Sequence, residues 1–190
     1  ITKNQKLSGC ALLDIGAQTT SLIIFEEGKT LSLQIFPLGS NEITNDIALG
    51  FRITPEEAER VKKGEGEPVG TKKKLDEIVE ARLSDIFEFA ERHMKKLGIA
   101  GLLPSGVTLI GGGSNTPEIE ELARNYFKLP AKLASSNIAS ASKSQIRDSA
   151  WAVAYGLCLY NEEPETNNNI INLGAKIASQ IGSWLKEFMP

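Results

Sequence analysis

At 190 residues, with 41% hydrophobic and 24% charged side chains, the chain is long enough to bury the core of one domain carrying an insert. A formal net charge of −3 gives no electrostatic reason to expect a nucleic-acid partner. Cys10 and Cys158 are too far apart in sequence for a metal motif and too few for a disulfide framework, which points to a reduced, cytoplasmic setting. The only histidine, His93, falls in the polar end of a helical segment, and no Ser-His-Asp, Cys-His or metal-ligand constellation accompanies it.

Taken in chain order, the first signal is a strand over Ala11–Leu13, the turn Asp14-Ile-Gly-Ala-Gln-Thr-Thr20, and a second strand over Leu22–Glu26. The turn has the chemistry of a phosphate loop. Asp14 can hold a hydrated divalent cation, Gly16 lets backbone N–H groups approach an anion, and Thr19 and Thr20 add hydroxyl donors. Taken alone, such a turn is as ordinary as any hairpin connection. Glu27-Gly28 turns the chain into a third strand over Thr30–Pro37, and a helix is expected over Ile43–Leu49. In Thr54-Pro-Glu-Glu-Ala-Glu-Arg-Val-Lys-Lys-Gly64, Thr54 and Glu57 form a capping box, Pro55 opens a helix and Gly64 closes it. Glu59 and Lys62 then share one helical face, where they can form a modest ion pair or jointly grip a ribose and base.

Lys63–Lys74 reads as a charged, glycine-punctuated loop. A long helix is predicted over Leu75–Leu97 from the stripe Leu75, Ile78, Val79, Leu83, Ile86, Ala90, Met94 and Leu97, which is core spacing. The apolar run Val107–Ile110 leads into Gly111-Gly112-Gly113-Ser114, and Thr116, Pro117 and Glu118 read as N-cap, first position and first turn of a helix to about Phe127. Strand, glycine loop, helix is a junction at which a ligand can lie against bare backbone. Contiguous glycines, with Thr116 and Pro117 where a third spaced glycine would fall, exclude a dinucleotide fingerprint. A short strand over Ala131–Ala134 and a Ser-rich stretch precede a final helix over Ser149–Tyr160.

In this order the motifs resemble the second half of the actin-like ATPase superfamily, and within it the FtsA family of bacterial cell-division proteins. Further support comes from Gly39-Ser-Asn-Glu-Ile-Thr-Asn-Asp-Ile47, Glu80-Ala-Arg-Leu-Ser-Asp-Ile86, Leu103-Pro-Ser-Gly-Val107, Ala150-Trp-Ala-Val-Ala-Tyr-Gly156 and Trp184-Leu-Lys-Glu-Phe188. The resemblance implies an α/β, actin-like (ribonuclease H-like) mixed sheet with a mostly helical insert. Residues 8–42 and 101–160 would form subdomain 2A, and 43–100 the inserted subdomain 2B. It also implies ATP and Mg²⁺ as ligands. Asp14 would order Mg²⁺ through water, Gly16, Thr19 and Thr20 would hold phosphates, and Glu59, Lys62 and Gly111, Gly112, Gly113 and Ser114 would hold adenosine. Implied partners are the C-terminal peptide of FtsZ on the 2B surface and further copies in a polymer on the cytoplasmic face of the inner membrane at the division site. Two departures stand out. Family members usually carry Gly-Gly-Gly-Thr and an acidic residue in the phosphate loop, where this chain has Ala17-Gln18-Thr19 and Ser21. The chain also starts at Ile1 without a first phosphate loop, so it reads as the C-terminal half.

After Tyr160 comes a polar linker, 161–169, and then a stretch, 170–190, in which Ile170, Leu173, Ile177, Ile181, Trp184, Leu185 and Phe188 recur every three or four residues. It is too short and polar to span a bilayer, and with Gly174 and Gly182 it is a poor helix in water. The pattern fits a helix docked on protein surface about as well as one lying flat at a membrane interface. The linker and the resemblance to the family's membrane-targeting helix favour the membrane. Complete burial contributes up to ~1.5–3 kcal/mol per large apolar side chain, so insertion outweighs the weak attraction of Lys176 and Lys186 to anionic lipid. One such helix anchors marginally, and several in a polymer hold by avidity.

The resemblance describes a nucleotide-gated scaffold better than a turnover catalyst. Two rivals share the fold: a sugar-kinase-like phosphotransferase, which predicts steady ATP consumption and leaves the tail unexplained, and a type IV pilus adaptor resembling PilM, whose phosphate loop is closer at Ala17. The tail discriminates among them. In the Trp151→Phe chain, where Trp184 is the only tryptophan, titration with vesicles of bacterial-like lipid is expected to blue-shift the emission, and truncation after Tyr160 to abolish the shift. An emission that stays water-exposed at saturating lipid removes the tether.

Overall fold

The computed structural model describes residues 1–65, 70–134, 149–154, 156 and 157. Ile1–Val153 form one unit and Ala154–Pro190 a second, of which the described residues 154, 156 and 157 are helical. The linker, the apolar stripe with Ile177, Ile181, Trp184, Leu185 and Phe188, and the Ser-rich stretch 135–148 lie outside the described residues.

Among the described residues five strands form one mixed sheet. β1 (Cys10–Ile15) pairs antiparallel with β2 (Thr20–Glu26), which pairs antiparallel with β3 (Lys29–Phe36). On its other side β1 runs parallel to β4 (Val107–Ile110), and β4 runs parallel to β5 (Ala131–Leu133), giving the order β3-β2-β1-β4-β5. The expected meander and both later strands are present, with ends moved by up to two residues. β1 is central because it can be: Cys10, Ala11, Leu13 and Ile15 are wholly buried, as an apolar strand flanked on both sides must be.

Among the described residues up to 134 the helices are α1 (Lys3–Ser8), α2 (Ser40–Phe51), α3 (Pro55–Lys62), α4 (Lys72–Lys96) and α5 (Ile119–Phe127). α1 is absent from the sequence reading, although its signal is there: Thr2 and Gln5 make a reciprocal capping box. The Thr54–Glu57 capping box of α3 forms as expected. α2 starts three residues before its predicted start, and α4 likewise, capped by the Thr71 hydroxyl.

The start of α5 differs in kind. Instead of an N-cap at Thr116, residues Gly112–Asn115 form a 3₁₀ turn, and Thr116 Oγ1 donates back to Gly113 O at 2.8 Å. Glu118 takes a left-handed conformation (φ 63°), so the α-helix begins at Ile119 and not at Pro117. Three consecutive glycines impose no helical bias, and the loop closes on itself before the helix can propagate back.

α2, α3, α4 and α5 contribute to one hydrophobic cluster with the inner face of the sheet, including Leu13, Leu22, Ile24, Ile43, Ile47, Ala58, Val61 and Leu109. From α4 the predicted Leu83, Ile86, Ala90 and Met94 are buried, and Leu97 is 39% exposed. The sequence stripe omitted Phe87, one turn position off its line, yet it is 1% exposed, with its ring 5.2 Å from Phe127 and 5.8 Å from Tyr126. An aromatic here joins α4 to α5, and a stripe drawn for one packing surface misses a residue facing a second. Phe87→Ala is expected to lower the free energy of unfolding by about 3–5 kcal/mol, read from urea denaturation.

Candidate functional site

The parallel pairing of β1 with β4 sets Asp14 beside Ile110, so the loops leaving both strands emerge together at their carboxyl ends, where α/β sheets bind ligands. The first loop, residues 16–19, is closed by Gly16 N–H donating to Thr19 O at 2.9 Å. Ala17, Gln18 and Thr19 are exposed, and their amides donate to no other described residue. The Gly16 amide is spent within the turn, and the amides open to an anion are those of the next three residues. The Thr20 hydroxyl is likewise spent: the residue is wholly buried and donates to Leu38 O at 2.7 Å.

α2 seats its N-terminus on this loop. Ser40 N–H donates to Gly16 O at 2.9 Å and Asn41 N–H to Ala17 O at 2.8 Å. Gly39 makes the approach possible, since a Cβ there would lie 2.5 Å from the Ala17 carbonyl oxygen. α3 packs beside α2 through a polar knot. Glu59 Oε2 accepts from Thr44 Oγ1 at 2.6 Å and pairs with Lys62 Nζ at 2.6 Å, while Lys62 also reaches Thr44 Oγ1 at 2.8 Å and Ser40 O at 3.3 Å. Lys63 pairs with the other oxygen, Oε1, at 3.4 Å. The i,i+3 pair foreseen in the sequence therefore exists, and it also joins two helices.

The glycine loop closes the far side. Gly111 needs its left-handed φ of 87°, and a Cβ there would overlap the Asp14 carboxylate and the Ile15 backbone. Gly113 lies equally close to the Ile15 side chain, whereas a Cβ on Gly112 would meet nothing within 4 Å. Ser114 is wholly buried and donates to Gly111 O at 2.7 Å, so its hydroxyl shapes the loop and does not face outward.

These walls enclose a cleft of about 570 Å³, lined among others by Ala17, Ser40, Glu59, Lys62, Gly112 and Thr116. Asn41, Lys63, Glu65, Asn115 and Ala150 complete it. The three predicted segments thus meet at one place. The N-terminal residues of α2, with Lys63, Glu65, Asn115, Thr116 and Ala150, were not among the predicted site residues. Gly39-Ser40-Asn41 ahead of an apolar-periodic run was the legible signal, because it marks a helix N-terminus brought up close to backbone.

Two carboxylates differ in their electrostatics. Burial pushes the Asp14 acid above its ordinary range, and no described residue donates to it. For Glu59 burial also acts upward, but the hydrogen bonds from Lys62 and Thr44 and the neighbouring lysine charges outweigh it, leaving the acid below its ordinary range. Lys62 and Glu59 bring both signs of charge to the cleft wall beside the undonated amide of Ala17, and the unpaired acid of Asp14 lies at the end of β1 next to it.

A family model described as "Cell division protein FtsA" matches residues 11–182. The chain belongs to the FtsA family. A "Cell division protein FtsA" of Bacillus subtilis (strain 168) is 32% identical over 179 residues, covering 83% of this chain and 39% of that protein. The chain spans about half, or less, of the length of the curated FtsA relatives. The fold is actin-like. A chain of the "PilM-PilN type IV pilus biogenesis complex" superposes with a TM-score of 0.70 at 25% identity, covering 85% of this chain and 48% of that one. MreB 5 of Spiroplasma citri, solved bound to AMPPNP, gives 0.66 at 22% identity, covering 89% and 57%.

The two carboxylates predict opposite pH responses. A depressed acid such as Glu59 adds stability above its unfolded pKa of about 4, and that stability is lost as pH falls through the lower folded value. Glu59→Gln is therefore expected to flatten the acid limb of a thermal-stability profile. A raised acid such as Asp14 has the reverse sign: stability is full below the unfolded pKa and lost as pH rises through the folded one. Asp14→Asn is expected to raise the melting temperature at pH 7 and leave it unchanged near pH 3. An unaltered or lower melting temperature at pH 7 contradicts this account of Asp14.

Proposed function

We propose that this cleft binds ATP with Mg²⁺, and that the protein is a nucleotide-gated scaffold of cell division that polymerises on the inner membrane and tethers FtsZ there. The observation that carries the reading is the convergence of the 16–19 loop, the Glu59–Lys62 pair and the Gly111–Ser114 loop on one cleft of about 570 Å³, a size suited to a nucleotide. The open amides of Ala17, Gln18 and Thr19 suit the phosphates, with Lys62 as counter-charge. The unpaired Asp14 suits a cation held through water. Glu59 and Lys62 present charged hydrogen-bonding groups for ribose hydroxyls. The bare face of Gly112 offers a flat backbone wall for adenine. A bound Mg²⁺ supplies charge neutralisation between the phosphates; the chain's own groups orient and enclose them.

In this reading 8–42 and 101–160 are subdomain 2A and 43–100 subdomain 2B. The 2B surface takes the C-terminal peptide of FtsZ, nucleotide favours the polymerising form, and the stripe of 170–190 fastens the polymer to lipid at the division site. Nucleotide occupancy thereby controls how many weak anchors act together. The likeness to the PilM–PilN chain keeps a pilus-assembly adaptor as the second reading. It is distinguished by the absence of FtsZ-peptide binding.

Gly112→Leu separates binding from folding, because its Cβ meets no neighbour while the rest of the side chain enters the cleft. In the complete natural polypeptide containing residues 1–190, the variant is expected to lose at least about tenfold in ATP affinity by calorimetry. Its melting temperature should move by no more than about 2 °C. Undiminished ATP binding by the variant, or none by the unaltered protein, rejects the site.

A further inference from the structure

Three contiguous glycines have more backbone freedom to lose than any other tripeptide, so the cleft wall they form must be held in shape by its surroundings. From beneath, Gly111 and Gly113 rest on Asp14 and Ile15. Within the loop, Ser114 N–H and Ser114 Oγ both donate to Gly111 O, at 3.1 and 2.7 Å. From the outer side the hold comes from a residue 35 positions further along. Ser149 O accepts the Gly111 N–H at 3.1 Å, and Ser149 Oγ lies 2.8 Å from Ser114 Oγ, 3.1 Å from Asn115 Oδ1 and 3.4 Å from Gly111 O.

We infer that Ser149 is a positioning residue for the nucleoside wall of the cleft: it clamps the Gly111–Asn115 turn from outside and thereby sets affinity for the adenosine part of the ligand. The inference rests on the nucleotide reading above. The hydroxyl inventory supports it. Ser114 commits its proton to Gly111 O, which leaves its lone pairs as acceptors. The single Ser149 proton then has Ser114 Oγ and Asn115 Oδ1 as near partners, so one hydroxyl joins a wholly buried side chain to one lining the cleft. The backbone bond from Gly111 persists whatever side chain stands at 149. The side-chain bonds are the part that substitution removes, and their effect is on loop order, not on contact with the ligand. The next residue, Ala150, itself lines the cleft, so a displacement at 149 is felt at the wall directly. Ser149 also begins the 3₁₀ turn Ser149–Trp151, so the same clamp ties that turn to the loop.

The test compares Ser149→Ala and Ser149→Thr with the unaltered complete polypeptide, using calorimetry with ATP and with adenosine. Native-state hydrogen exchange of the Gly111 and Ser114 amides is measured in the absence of nucleotide. Loss of about one hydrogen bond's worth of loop order corresponds to about a fivefold weaker affinity. Ser149→Ala is expected to weaken ATP and adenosine by the same factor and to accelerate exchange at both amides. Ser149→Thr, which keeps the hydroxyl, is expected to restore both properties. Nucleotide binding by the unaltered protein with unchanged affinity and exchange in Ser149→Ala overturns the inference alone. A loss confined to ATP, or one that threonine fails to restore, also overturns it. Absence of ATP binding in the unaltered protein overturns the nucleotide reading, and the inference with it.

Discussion

The architecture depends on one pairing, the parallel register of β1 with β4. Ninety-odd residues of sequence separate these strands, yet Ala11 meets Val107 and Asp14 meets Ile110. Because the strands run the same way, their carboxyl ends coincide, and so do the loops that leave them. Antiparallel pairing of the same two strands would put the phosphate-type turn and the glycine turn at opposite ends of the sheet. The glycines then have a single purpose. Gly111 and Gly113 let the second loop close onto Asp14 and Ile15 at the end of β1, at distances that a side chain of any size would prevent.

The second wall obeys different physics. α2 and α3 reach the cleft through a polar knot in which Thr44, Glu59, Lys62 and the Ser40 carbonyl satisfy one another. Lys62 is only 9% exposed, and a lysine so placed persists because carboxylate, hydroxyl and carbonyl oxygens surround its ammonium group. The knot holds two helix ends against the 16–19 loop and presents charge to the cleft at the same time. The same atoms of Glu59 and Lys62 therefore join two helices and carry the charge that the cleft presents. At Thr20 and Ser114 the structural role has taken the hydroxyl altogether.

Asp14 stands apart from that economy. It is a partly buried acid with no donor among the described residues, on the strand that forms the centre of the sheet. An acid kept there against its own solvation lowers the stability of the ionised fold, a cost associated with sites whose partner arrives from outside. The loop that follows it carries three undonated amides.

Local chemistry was legible in the sequence wherever it is set by near neighbours. The Thr54–Glu57 capping box, the helical stripe of α4, the strand 107–110 and the Asp-x-Gly turn all follow from spacing and side-chain type, as does membership in an actin-like family from the order of motifs. Long-range packing was not legible, because it depends on which surfaces meet. The periodicity of α4 identified a buried face and overlooked Phe87, whose ring packs on Tyr126 and Phe127 of α5. Residue type nominated Thr20 as a ligand donor and the family resemblance nominated Ser114, but in the fold their hydroxyls donate to the Leu38 and Gly111 carbonyls. Nor could spacing place Ser40 on Gly16 or Ser149 on Gly111, contacts made by backbone groups that every residue possesses. The sequence by itself determined most of the elements, the turn chemistry and the family. The tertiary structure alone decided which donors remain open to a ligand, because hydrogen-bond capacity is shared among whatever groups the fold brings within reach.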